Sequence, residues 1–244
     1  MIRLALALSL ALLPLAARAQ TEAQTLVDRA TLAVQEMLSG DTGLQARNMM
    51  QHARGALICP RVFKAGFFLG GEGGDCVLVG RSGGGTQAPA PQTGGSQTQT
   101  TAPQAGAPWS GPAFYGMGGG SFGLQFGIQD SEVIFIVLTD NGLQALLNSQ
   151  FKFGADASLA VATIGGGVNG DTTSALRADI VAFAQSRGLF AGISFEGTLI
   201  SARSDWNQSY YGQSLGAQQI VLNMEGQNQG DEPLKEMLAR FSNG

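Results

Sequence analysis

From Thr21 to Ser39 the apolar residues Val27, Ala30, Val34, Met37 and Leu38 recur at helical spacing. That pattern predicts a helix, with Thr21 as N-cap, Gln24 completing a capping box and Gly40 as the stop. A second short helix is expected over 42–54, ending at Gly55. The period then changes. Ala56 to Cys59, ending at Pro60, Val62 to Leu69 and Cys76 to Val79 read as strands, the last two joined by a turn over Gly70 to Gly74, where glycine tolerates positive φ. Further strands are expected at 112–117, 122–128, 132–138, 151–153, 159–164, 180–184 and 189–201. Glu132 to Leu138 is apolar almost throughout, which predicts a strand covered on both faces. Short helices are expected at 141–148 and at 232–241, the latter with Leu234, Met237, Leu238 and Phe241 on one face.

Many of these strands contain glycine, which marks bulges and bends. The fold class expected is therefore α+β: N-terminal helices on a curved, glycine-rich antiparallel sheet that tends towards a barrel, with a short C-terminal helix. Residues 82–107 differ in kind. They comprise six Gly, five Gln, five Thr, five Ala, three Pro and two Ser, with no charge and no large apolar side chain. Such a segment cannot offset its ordering entropy, so it reads as a flexible insertion between two strands of a single domain covering 20–244.

Residues 1–19 read as a signal peptide. Arg3 supplies the basic start, Leu4 to Leu15 the apolar run, and Ala17-Arg18-Ala19 a small-x-small cleavage site. The chain would then begin at Gln20 and be exported to the periplasm or beyond. Loss of Arg3 and Arg18 takes 14 Lys+Arg to 12 against 18 Asp+Glu, a change in net charge from −4 to −6. In an oxidising compartment Cys59 and Cys76, 17 residues apart, either form a disulfide between neighbouring strands or stay as two buried thiols.

Composition narrows the chemistry. Charged residues make up 13% of the 244, too few for a binder that works by neutralising nucleic-acid phosphates. Two cysteines and one histidine, His52, cannot build a Cys/His zinc site within the chain. Gly119-Gly120-Ser121-Phe122-Gly123 matches the nucleophile-elbow pattern, but His52 precedes the serine and no helix follows it. Gly165-Gly166-Gly167-Val168-Asn169-Gly170 matches a dinucleotide fingerprint without the helix or the acidic residue that the site needs. No catalytic residue, metal ligand or cofactor is expected.

One charge pattern stands out. The thirty residues between Asp41 and Glu72 hold no acid but contain Arg47, Arg54, Arg61 and Lys64, with Val62, Phe63, Phe67 and Phe68 beside them. Cations next to exposed aromatic rings suit an anionic lipid surface, where they meet headgroup phosphates while the rings enter the interface. The same residues would otherwise be a solvated basic rim with the phenylalanines in the core.

Three segments resemble a known family. Ala56 to Phe67 (ALICPRVFKAGF), Trp109-Ser110-Gly111-Pro112-Ala113, and Ser186 to Gly197 (SRGLFAGISFEG) continuing through Asp205, Asn207 and Tyr210-Tyr211-Gly212 are similar to the SYLF domain family, lipid-binding proteins also named for a yeast actin-binding protein. The resemblance implies a non-enzymatic domain that binds phospholipid. Export argues against actin as a partner and favours an anionic phospholipid or membrane surface of the cell envelope. The headgroup contacts expected are Arg47, Arg54, Arg61 and Lys64, with Phe63 and Phe67 as apolar membrane contacts. The alternative is a structural or protein-interaction module of the periplasm with no lipid ligand.

Overall fold

The computed structural model describes residues 2–66, 69–82, 107–122, 127–148, 150–163, 167–168, 178–188, 195 and 197–243, with side-chain surroundings from Gln20 onward. Among these the chain forms six α-helices: α1 (Ile2–Leu38), α2 (Leu44–Met50), α3 (Asp140–Leu147), α4 (Ser204–Tyr211), α5 (Ala217–Val221) and α6 (Glu232–Ser242). Nine strands form one sheet: β1 (Gly55–Gly66), β2 (Leu69–Gly80), β3 (Ala113–Phe122), β4 (Gly127–Val137), β5 (Gln150–Lys152), β6 (Leu159–Thr163), β7 (Gly167–Val168), β8 (Ile180–Gly188) and β9 (Leu199–Ala202). Their order is β5-β9-β3-β2-β1-β4-β8-β6-β7, and the sheet curls into a half-barrel. The expected α+β architecture is present. One pairing departs from it, because β6 runs parallel to β8.

Both faces of the sheet are covered. On one, Ile58, Val77, Phe114, Ile134, Ile136 and Phe183 pack under Val27, Ala30, Val34 and Met37 of α1 and Leu234 and Leu238 of α6. On the other, Leu57, Cys59, Leu78, Tyr115, Val133 and Phe135 meet Leu143 and Leu146 of α3 and Ile220 of α5. Successive side chains of a strand point to opposite faces, so a strand between two layers must be apolar at every position. That is why Val133 to Val137 form an unbroken apolar run, all of it buried. Phe135 adds a stack on Phe153 at 4.6 Å and an edge contact with Phe195 at 5.1 Å.

Pro60 does not end a strand. β1 runs through it for 12 residues, and its register against both β2 and β4 shifts by one residue around it. A β-bulge accommodates a proline because the extra residue needs no ladder hydrogen bond. The bulge also inverts the phase of the strand. Before it Leu57 and Cys59 face the α3 side; after it Val62 does, and Arg61 and Phe63 turn to the α1 side. A disulfide joins Cys59 to Cys76 at this point, with Cα atoms 4.2 Å apart.

The glycines at 70–74 form no turn. They lie inside β2, with Gly71 opposite Gly120 and Gly73 opposite Gly118 on β3. Gly74 faces the bulge, where a Cβ would collide with the Arg61 carbonyl oxygen. The helix expected over 42–54 is shorter, a 3-10 turn at Asp41–Gly43 followed by α2. The strands expected over 112–117 and 122–128 are instead the long β3 and the start of β4, and the described strand within 189–201 begins only at Leu199. Helices α4 and α5 have no counterpart in the sequence reading. Both are short and glycine-bounded: α4 ends at Gly212 with φ 69°, the left-handed C-cap that glycine favours, and α5 begins after Gly216.

Candidate functional site

The four cations expected at headgroups are not gathered at one place. Arg47 donates to the Leu38 carbonyl oxygen at 2.6 Å, neutralising the C-terminal end of α1. Arg54 is buried and pairs with Asp140 at 3.4 Å. Seven residues further along β1, about 20 Å away on an extended strand, Arg61 is exposed and pairs with Asp130 at 2.9 Å. Lys64 is largely buried and pairs with Glu72 at 3.3 Å. The bulge separates these last two: Arg61 is on the α1 face and Lys64, in phase with Val62, on the other. Phe63 is 42% exposed on the α1 face. Phe67 lies outside the described residues.

Lys64 belongs to a polar row on the face of the sheet that carries Val62. Glu72 is its cross-strand partner on β2 and Gln129 its partner on β4. The Thr198 hydroxyl donates to Glu72. Gln129 donates to Ser131 at 2.9 Å and Ser186 at 2.6 Å. Gly119 makes room for this row, since a Cβ there would lie 2.9 Å from the Glu72 carboxylate. These bonds make the row a polar layer that ties β2, β1, β4 and β8 together, with the Gln129 side-chain oxygen buried in it without a hydrogen-bond partner.

On the opposite face, a cleft of about 370 Å³ opens between α1 and the outer halves of β1 and β4. Arg29, Leu32 and Glu36 of α1 form one wall, at the i, i+3, i+7 spacing that puts them on one helix face. Arg61, Asp130 and Glu132 form the other, with Gln185 of β8 at the end. Gln185 donates to Glu36 at 3.2 Å and is the cross-strand partner of Glu132, so these carboxylates share one flank of the cleft. The other flank carries Arg61 and Asp130, with Phe63 directly opposite Asp130 in the register. Ile128, 69% exposed, lies two residues beyond on the same face, and Leu32 is 63% exposed on α1. Five large apolar side chains are exposed among the described residues; Leu32 lines this cleft, and Phe63 and Ile128 follow Arg61 and Asp130 along the same face of β1 and β4.

Of the segments that carry the family resemblance, residues 56–66 lie in β1 and reach the cleft through Arg61, and residues 189–194 and 196 lie outside the described residues. The two around Trp109 and Asn207 lie elsewhere, with Trp109, Asn207 and Tyr210 buried. Trp109 donates to the Ser242 hydroxyl at 3.2 Å. Arg81, 3% exposed, sits 5.9 Å from the Trp109 ring and donates to Gln51 and Asn243. Burial lowers its pKa. Asn207 accepts from the Phe114 amide at 2.9 Å and donates to the Leu215 carbonyl. Tyr211 donates to the Pro112 carbonyl at 2.8 Å. Gly111 packs against that hydroxyl and against Asp231, whose carboxyl burial pushes up even though Lys235 lies 2.8 Å away. This knot joins β3, α4 and α6; Asp231, Lys235 and Arg81 had no signal in the sequence because they partner residues far along the chain. Ser121 lies in β3 opposite Gly70 of β2, and residues 123–126, where the G-x-S-x-G match ends, lie outside the described residues. His52 is an exposed turn residue after α2. Among the described residues no group of three or more His, Cys, Asp or Glu side chains is placed to hold a metal ion.

The family model described as "Ysc84: Las17-binding protein actin regulator" matches residues 118–241, just over half of the chain. The chain belongs to the Ysc84 (SYLF) family. It is 28% identical over 182 residues to the SH3 domain-containing YSC84-like protein 1 of Rattus norvegicus, covering 74% of this chain and 47% of that one. It is 29% identical over 153 residues to the protein of that name in Xenopus laevis, 62% of this chain and 39% of that one. It is 27% identical over 179 residues to LAS seventeen-binding protein 3 of Saccharomyces cerevisiae, 71% of this chain and 34% of that one. The chain thus spans about half or less of the curated relatives it matches. Ysc84 proteins form a family of binding and adaptor domains rather than a known enzyme class.

Proposed function

We propose that the protein is a non-enzymatic phospholipid-binding module that rests peripherally on a membrane of the cell envelope. The observation that supports this reading is the exposure of Phe63 and Ile128 on the strand face that carries Arg61, and of Leu32 beside Arg29 in the cleft. Moving a fully exposed Leu, Ile or Phe side chain out of water contributes about 1.5–3 kcal/mol, so three roughly half-exposed ones contribute about 3–5 kcal/mol together. That alone gives weak, reversible attachment, and headgroup contacts from the two arginines add to it. No described helix is long and apolar enough to cross a membrane.

Export by a cleaved leader is part of the same proposal. Ala23, Leu26, Val27, Ala30 and Val34, all after the expected cleavage point, are buried in the core. N-terminal sequencing of the protein recovered from the envelope should read from Gln20.

The test is co-sedimentation of the purified protein with phospholipid vesicles. Phe63→Asp combined with Ile128→Asp should abolish sedimentation while leaving the melting temperature nearly unchanged, because both side chains are exposed. Undiminished sedimentation of the folded double variant would overturn this reading. A second reading, a protein-interaction module without lipid, draws on the description of the family as Las17-binding and on the yeast relative's name. It would be favoured by a partner that co-purifies without vesicles.

A further inference from the structure

We infer that the polar row on the α3 side of the sheet binds one internal water molecule, which accepts from the Lys64 ammonium and donates to the Gln129 side-chain oxygen. The site lies on the opposite face from the cleft and does not depend on the membrane reading.

A spare acceptor and spare donors meet in that row. Gln129 is 2% exposed, and it spends its Nε2 on Ser131 and on Ser186 of β8, away from β1. Its Oε1 is buried with no hydrogen-bond partner among the described residues. A buried oxygen left bare is costly, so it needs a donor. Lys64 stands directly opposite on β1, on the same face, with Cα atoms about 5 Å apart. It does not reach Oε1 itself, since that oxygen has no partner. Its side chain is 15% exposed, and the ion pair with Glu72 at 3.3 Å leaves donors over from the three of an ammonium. A group set between them has to accept from Lys64 and donate to Gln129, which is the chemistry of a hydroxyl. Gln129 and Glu72 are both less than a tenth exposed, so the hydroxyl is that of water rather than of a larger molecule entering from solvent. The Glu72 carboxylate oxygen paired with Lys64 can take the second water hydrogen, because the other oxygen already accepts from Thr198. Three polar partners are the usual complement of a buried water. The bulge at Pro60 creates the need for it. It turns Lys64 away from bulk solvent while Arg61 and Phe63 turn to the cleft, and the water returns to the ammonium a bond that burial removes. It thereby helps to hold the strand phase that presents Arg61 and Phe63.

The experiment is a crystal structure of the wild type at a resolution that shows ordered water. A peak should lie within hydrogen-bond distance, about 2.7–3.2 Å, of both Gln129 Oε1 and Lys64 Nζ. Direct contact between those two atoms, a protein donor from another segment on Oε1, or no peak at that place would each overturn the inference. In solution, oxygen-17 relaxation dispersion of the solvent counts long-lived internal waters. Gln129→Met removes the acceptor at similar volume and should lose one water from that count, with the fold checked by circular dichroism and melting. An unchanged count in the folded variant would overturn the inference as well, and the wild-type crystal structure decides it if the variant does not fold. Neither measurement involves vesicles, so the membrane reading stands or falls separately.

Discussion

The Cys59–Cys76 disulfide should be the largest single contributor to stability that can be removed without touching the cleft. It closes a loop of 17 residues, which in the chain-entropy model stabilises by about 3 kcal/mol through the unfolded state. For a chain of this size 1 kcal/mol moves the melting temperature by about 2–4 °C, so loss of the bond should lower it by about 6–12 °C. Both cysteines are fully buried. Reductant therefore has to be present during refolding, not added to the native protein. The variant Cys59→Ala with Cys76→Ala loses the cross-link and also leaves small cavities, so it should melt below the reduced wild type, which keeps both sulfur atoms. The expected order is oxidised, then reduced, then double alanine, read by circular dichroism in parallel melts. A reduced and refolded protein melting within about 2 °C of the oxidised one would refute the reasoning. It would show that the β1–β2 hairpin already restrains the unfolded chain as tightly as the bond does.

Lys64→Met should cost roughly 3 kcal/mol, because it leaves the Glu72 carboxylate buried without its cation. Chemical denaturation should show most of that recovered in Lys64→Met with Glu72→Gln, and vesicle binding of this double variant should match the wild type. Gly111→Ala should destabilise by about 1–3 kcal/mol in the same assay, since its Cβ would lie 2.5 Å from the Tyr211 hydroxyl and 2.9 Å from Asp231. Burial pushes the Asp179 carboxyl up, but hydrogen bonds from the Thr139 hydroxyl at 2.6 Å and from the Ser158 hydroxyl at 2.7 Å and amide at 3.0 Å outweigh it and hold it below the usual range. A lowered folded pKa gives stability that is present above the unfolded value of about 4 and is lost as pH falls through the folded one. Asp179→Asn should therefore flatten the acid side of the stability–pH profile below about pH 4 and leave its neutral side parallel to the wild type.

Much of the fold was legible from residue patterns. The helix face of Val27, Ala30, Val34 and Met37 is the face that packs on the sheet, and the apolar run at 133–137 is the strand covered on both sides. What escaped the patterns depends on register. Glycines at 70–74 look like a turn in one dimension; only the pairing of Gly71 with Gly120 and Gly73 with Gly118 explains why a strand would tolerate them. Pro60 looks like a stop until two neighbouring strands both skip a residue beside it. Helix α4 carries Trp206, Asn207 and Tyr210 as its buried set, too few for periodicity to reveal over eight residues.

The candidate site shows most clearly why local charge patterning misled. The segment between Asp41 and Glu72 is free of acids, yet its bases do not form a bare basic surface. Three of them acquire a carboxylate from another element: Arg54 from Asp140, Arg61 from Asp130, Lys64 from Glu72. Arg47 takes the carbonyl end of a helix instead. An acid-free window is a statement about neighbours along the chain, whereas screening is decided by neighbours across strands, about 5 Å away. The single-residue bulge at Pro60 then divides the window. It sends Lys64 inward to a structural ion pair and turns Arg61 and Phe63 outward to the cleft. A strand without the bulge would do the opposite, burying Phe63 and presenting Lys64 beside Asp130. The surface chemistry of this face therefore follows from one inserted residue, and a deletion that removed it would exchange the two sets of side chains.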